Sequence, residues 1–189
     1  NFCAQAARGI RRFSSCGGGR RLRVFAIGFA ASRELSDGKP MDFDLSRHPF
    51  FEEYVDPESG VASYILAERF APIQKTLYYT QPARRPGSKW LWLTGTQQPA
   101  TAKYVAAVSL DPDNPELRHF PYATVGNPLP TPEGDAVYVG VRDRIYLQPL
   151  EGEMREVLRL PAEVVGGRHV FRLFTDLTMS ADGVHVALD

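Results

Sequence analysis

A chain of 189 residues with 43% apolar and 23% charged side chains has room for one hydrophobic core and the composition of a globular protein. Its formal charge is zero, no interleaved aromatic platform supports nucleic-acid binding by a basic N-terminal arm, and no run approaches the roughly 18 apolar residues of a membrane-spanning helix. The zero hides an asymmetry: residues 1–40 carry eight Lys/Arg and two Asp/Glu, and residues 41–189 carry 14 and 20.

Taken in chain order, the first 40 residues hold both cysteines, Cys3 and Cys16, the Gly17-Gly18-Gly19 run and the basic clusters Arg11-Arg12 and Arg20-Arg21-Leu22-Arg23. Two cysteines with no histidine near them define neither a disulfide framework nor a metal site. Arg20 to Ser32 has the outline of a signal peptide, a basic start followed by the apolar Val24-Phe25-Ala26-Ile27-Gly28-Phe29 and small residues. The expectation is a basic extension over 1–40, disordered or not native to the fold and without contacts to the rest of the chain. The working chain then starts at Met41, in the cytoplasm, or outside it if Arg20 to Ser32 is an export signal.

From Met41 the chain reaches the Asp56-Pro57-Glu58-Ser59-Gly60 turn and then Val61 to Leu66, which alternates like a strand. Beyond it a small-residue turn recurs at Pro86-Gly87-Ser88-Lys89, Glu133-Gly134-Asp135 and Ala181-Asp182-Gly183, with Gly87, Gly134 and Gly183 spaced by 47 and 49 residues. Each turn runs into a short β-branched or aromatic strand: Trp90 to Leu93, Ala136 to Val141, Val184 to Leu188. A period near this value is that of a four-stranded propeller blade. The fold class expected is therefore all-β, a partial β-propeller of about two and a half four-stranded antiparallel blades over residues 41–189, with residues 1–40 as a non-propeller extension.

The first blade is expected to use Ile73 to Thr80 as inner strand, then Trp90 to Thr94, Tyr104 to Leu110 and Leu117 to Pro121. The second is expected to use the proline-broken Asn127 to Pro132, which proline keeps short or irregular, then Ala136 to Val141, Arg144 to Pro149 and Met154 to Leu160. The third opens with Phe171 to Met179. Val61 to Leu66 is the candidate to complete a last blade, its partners lying in blades of the same chain after residue 189.

The residues Asp56-Pro57-Glu58-Ser59-Gly60-Val61, Gln74-Lys75 leading into Leu77 to Gln81, Trp90 to Gly95, Tyr104 to Asp111, Val137 to Leu150 and the Ser180-Ala181-Asp182-Gly183 turn resemble the N-terminal half of oligogalacturonate lyases, over roughly Phe50 to Asp189. These are seven-bladed propeller enzymes of pectin breakdown. The resemblance implies β-elimination on short uronic-acid oligomers, in which a base removes the C5 proton and a manganese ion held by histidines and a glutamine steadies the substrate carboxylate. It also implies that the Mn2+ ligands and the base lie outside this chain, so that the 189 residues alone are inactive. Where the family carries a His-Arg pair ahead of the Gln-Lys strand, this sequence has Arg69-Phe70-Ala71-Pro72.

In a propeller, ligands sit at the channel mouth where inner strands begin, which selects Gln74 and Lys75 in the first blade, Asn127 in the second, and Arg172, Thr175 and Asp176 in the third. Lys75 and Arg172 suit a carboxylate-rich oligosaccharide. His169, in the Gly166-Gly167-Arg168-His169 loop, is a further candidate. The bland alternative is that these groups only hydrogen-bond neighbouring blades. Trp90 and Trp92 alternate along one strand and read as core rather than as a sugar-stacking platform. With no Gly-x-Ser-x-Gly elbow, P-loop or dinucleotide fingerprint, the competing function is a non-catalytic propeller of the TolB-like or WD-repeat type that binds a peptide or protein.

Overall fold

The computed structural model describes residues 10–12, 25–28, 43–78, 81–97, 102–124, 126–165, 177–180 and 185–188. Their strands are β1 (Ile10–Arg12), β2 (Phe25–Gly28), β3 (Phe51–Val55), β4 (Ala62–Leu66), β5 (Ile73–Thr76), β6 (Trp90–Thr96), β7 (Lys103–Ser109), β8 (Leu117–Thr124), β9 (Leu129–Pro130), β10 (Ala136–Val141), β11 (Arg144–Pro149), β12 (Arg155–Arg159), β13 (Leu177–Met179) and β14 (His185–Leu188). A 3-10 turn at Leu45–Arg47 and the four-residue helix α1 (Ala162–Val165) complete them. No helix among the described residues is long and apolar enough to cross a membrane.

The chain is all-β, and every strand pair is antiparallel. Strands β5-β6-β7-β8 form one four-stranded sheet in sequence order, and β9-β10-β11-β12 form a second. A third has the order β1-β2-β14-β13, and β3-β4 is a separate hairpin. Such meanders arise where each strand is followed by a tight turn, and the turn glycines supply the backbone. Gly87 and Gly134 have φ of 76° and 74°, the left-handed region open to glycine at no steric cost.

Alternation along the strands sends side chains to two faces, and both faces of the first sheet are covered. Trp90 and Trp92 of β6 with Val105 and Ala107 of β7 meet Val137 and Val139 of β10. On the opposite face Leu93, Ala106 and Val108 meet Phe50, Phe51, Leu66 and Phe70. The second sheet turns Leu129, Ile145 and Tyr138 toward Leu177 and Met179 of β13. The hairpin base, first sheet, second sheet and β13 are thus stacked face to face. Trp92 is fully buried and stacks on Phe120 at 5.8 Å between ring centroids, which identifies both tryptophans as core. Removing roughly 200 Å² of indole from water is worth about 5 kcal/mol before entropy is subtracted.

Strand bounds in the second sheet agree with the sequence pattern at Ala136–Val141 and Arg144–Pro149. The inner strand is cut to Leu129–Pro130 because Pro128, Pro130 and Pro132 offer no N–H, a lack that only an edge strand tolerates. The expected strand Ile73 to Thr80 stops at Thr76, and the chain then turns through a bond from the Gln81 N–H to the Tyr78 carbonyl, 2.8 Å.

Two expectations are corrected. The segment Val61 to Leu66 is paired within this chain: its partner is β3, in register from Phe51↔Leu66 to Val55↔Ala62. The Asp56 to Gly60 turn closes that hairpin, with the Asp56 carboxylate accepting from the Ser59 amide and hydroxyl and the Gly60 N–H donating to the Asp56 carbonyl. The stretch 1–40 is also in contact with the rest of the chain: β2 pairs with β14 at Gly28↔His185 and Ile27↔Val186, and β1 pairs with β2. Without β2, the second edge of β14 would be a row of unpaired donors and acceptors, and a β-prone stretch such as Phe25–Gly28 satisfies it.

Candidate functional site

The site selected by sequence begins on β5, an edge strand of the first sheet whose Gln74 and Lys75 face Gly95 and Thr94 of β6. Being adjacent in a strand, the two side chains leave opposite faces, and their surroundings separate them. The Gln74 amide nitrogen donates to the Leu66 carbonyl at 3.2 Å and the Glu68 carbonyl at 2.9 Å, which ties the chain between β4 and β5 to the first sheet. Its Oε1 is buried without a partner among the described residues. Lys75 is exposed and forms no ion pair among the described residues, so its ammonium is available to an anion.

Asn127 is half-buried in an isolated bridge just before β9. His169, Arg172, Thr175 and Asp176 lie outside the described residues. The structure therefore brings Gln74 and Lys75 onto one strand and gives them different work: Gln74 is a backbone tether, and Lys75 is an open cation.

The segment joining β5 to β6 carries polar groups that the sequence did not single out. Arg85 Nη2 donates to the Pro130 carbonyl of β9 at 2.8 Å, and Gln81 Nε2 donates to the Leu177 carbonyl of β13 at 2.8 Å. This one connection is bonded to the second and third sheets while belonging to the first. Its own shape is held by Trp92 N–H on the Ala83 carbonyl, 2.8 Å, and by Arg84 Nε on the Ser88 carbonyl, 3.0 Å. Burial pushes the Arg85 guanidinium down from its ordinary pKa, and Glu133 opposes the shift. The signal was present in the sequence as Pro82-Ala83-Arg84-Arg85-Pro86, a tandem arginine between prolines, but which carbonyls it meets depends on strands 45 and more residues away.

His48 is the second group that was passed over. The residue is 2% exposed, with Nε2 at 2.9 Å from the Ser109 carbonyl and Nδ1 at 3.1 Å from the Phe50 amide nitrogen. Burial lowers its pKa, against smaller upward contributions from the Ser109 carbonyl and Asp111. No group of three or more His, Cys, Asp or Glu among the described residues is placed to hold a metal ion. What the described arrangement offers chemically is electrostatic: an exposed ammonium on β5, suited to a carboxylate. Compared with known proteins, the chain matches no family model, no curated protein and no solved structure at a significant level.

Proposed function

We propose that the chain is part of a β-propeller and that it serves an oligogalacturonate-lyase-like enzyme, which cleaves short uronic-acid oligosaccharides by β-elimination. The ring architecture draws support from the two consecutive four-stranded meanders, stacked face to face and built on the Gly87 and Gly134 turns. The substrate class draws support from the residues that resemble the lyases, and the observation that carries the site is the exposed Lys75 on β5, without an ion pair among the described residues.

In this reading Lys75 receives a substrate carboxylate. Neutralising that charge lowers the cost of the enolate that forms when the neighbouring C5 proton leaves. Manganese, which the resemblance implies, would supply the same neutralisation more strongly; the described residues do not form a ligand set for it.

The test is ultraviolet detection of unsaturated uronate released from digalacturonate with manganese present. The 189-residue chain is expected to release none, and a protein in which the repeat continues is expected to release it in a metal-dependent way. In that protein Lys75→Ala should raise KM roughly tenfold, the value of one charge-assisted hydrogen bond. Unchanged KM would return Lys75 to a solvated surface. An inactive longer protein would favour the peptide-binding or protein-binding propeller.

A further inference from the structure

We infer that docking of the β3–β4 hairpin on the first sheet is switched by protonation of His48, the buried residue that joins the two. Among the described residues the hairpin packs on the stack at its base. Phe51 and Leu66 pack on Leu93, Ala106 and Val108, whereas Glu52 to Val55 and Ala62 to Ile65 are exposed. His48 stands just ahead of that base and reaches Ser109 at the end of β7.

The two ring contacts fix one tautomer. A carbonyl only accepts, so the Ser109 oxygen requires a proton on Nε2; an amide N–H only donates, so Phe50 requires a lone pair on Nδ1. An imidazolium carries N–H on both nitrogens. It would set a second donor against the Phe50 N–H and bury a charge among the Phe50 and Phe51 rings, whose centroids lie 5.4 and 5.0 Å away.

The charged groups of the surrounding elements do little to offset this. Asp111, just after β7, is the carboxylate that favours the imidazolium, and it is a smaller influence than burial. Arg47 and Asp113 are exposed and pair with each other at 3.9 Å. The Asp44 carboxylate is taken by the Ser46 amide and hydroxyl, Glu52 and Glu53 are exposed on β3, and the Lys89 ammonium sits over the Trp90 ring. The docked hairpin therefore binds the neutral ring. A ring pKa lowered below 6.5 in the docked state gives full docking above 6.5 and loss of docking as pH falls through the lowered value.

The experiment is hydrogen exchange followed by NMR on the whole chain, between about pH 7.5 and about pH 5 and corrected for intrinsic exchange, with the His48 ring titrated in parallel. Protection of the Phe50 and Ala67 amides should fall by up to tenfold per pH unit as pH drops from 6.5 toward the ring's own lowered pKa and level off below it, as linkage to one proton requires, while the Leu93 and Ala106 amides stay protected. In His48→Phe, Phe50 protection should be lower and independent of pH. Constant Phe50 protection, joint loss at Leu93 and Ala106, or a pH dependence that survives in His48→Phe would each overturn the switch.

Discussion

Gly134 and Gly87 occupy equivalent turns and share a left-handed backbone, yet they meet different surroundings. The Gly134 carbonyl accepts from the Trp92 indole at 3.0 Å, and a Cβ added there would lie 2.8 Å from the Ser88 side chain; at Gly87 it would meet nothing within 4 Å. Gly87→Ala should therefore cost only the left-handed backbone penalty, about 1–2 kcal/mol. Gly134→Ala should cost about 1–3 kcal/mol more, from overlap with Ser88. Urea unfolding followed by tryptophan fluorescence measures both, and equal losses would mean that the turn yields freely. The recurrence of the glycines was legible because turn geometry is local. The contrast between them was not, since Ser88 and Trp92 belong to another sheet. Gln74 and Lys75 make the same point: one pattern of polar residues at the start of a strand holds both a backbone tether and an open cation, and only the carbonyls of Leu66 and Glu68 tell them apart.

Among elements, the β3–β4 hairpin departs most from the four-stranded pattern. Strand β3 escaped sequence detection because Glu52-Glu53 breaks the apolar alternation of Phe51-Glu52-Glu53-Tyr54-Val55. Isolated two-stranded hairpins are marginal in water, and this one leaves Tyr54, Val55, Val61 and Ile65 more than half exposed. Strand β4 carries no charge in Ala62–Leu66, so nothing guards its free edge against pairing with other chains. Ile65→Lys should lower self-association in sedimentation velocity at high protein concentration without shifting the unfolding free energy by more than about 0.5 kcal/mol, the usual size of a surface change. Unaltered association would move the sticky surface elsewhere. The Asp56 to Gly60 turn was readable from its residues; the partner across it was not.

At the scale of the molecule, the first and second sheets share one apolar layer, in which Trp90, Trp92 and Val105 meet Val137 and Val139. Polar bonds cross the same boundary: Trp92 to Gly134, Arg85 to Pro130, and Arg118 to the Leu150 carbonyl at 2.7 Å. Arg118 is half-buried over the Trp90 ring at 5.0 Å, so its stem packs while its head bonds. The two sheets should then open together, and native-state hydrogen exchange should give the interior amides of β6, β7, β10 and β11 a common opening free energy. A lower value confined to β10 and β11 would make each sheet an independent unit.

By itself the sequence determined the all-β class and the antiparallel order of the two central sheets, because alternation, turn chemistry and proline placement act over a few residues. The Ala136–Val141 and Arg144–Pro149 strands and the truncated Leu129–Pro130 follow from those rules alone. The tertiary structure decided which carbonyls receive Gln74, Gln81 and Arg85, which tautomer His48 adopts, and which edges find partners, as when β2 of the basic extension pairs with β14. Those outcomes depend on groups brought together from distant positions in the chain, as Gly28 and His185 are. Hydrogen-bond satisfaction and burial settle them only when the sheets stack, and no local pattern encodes them.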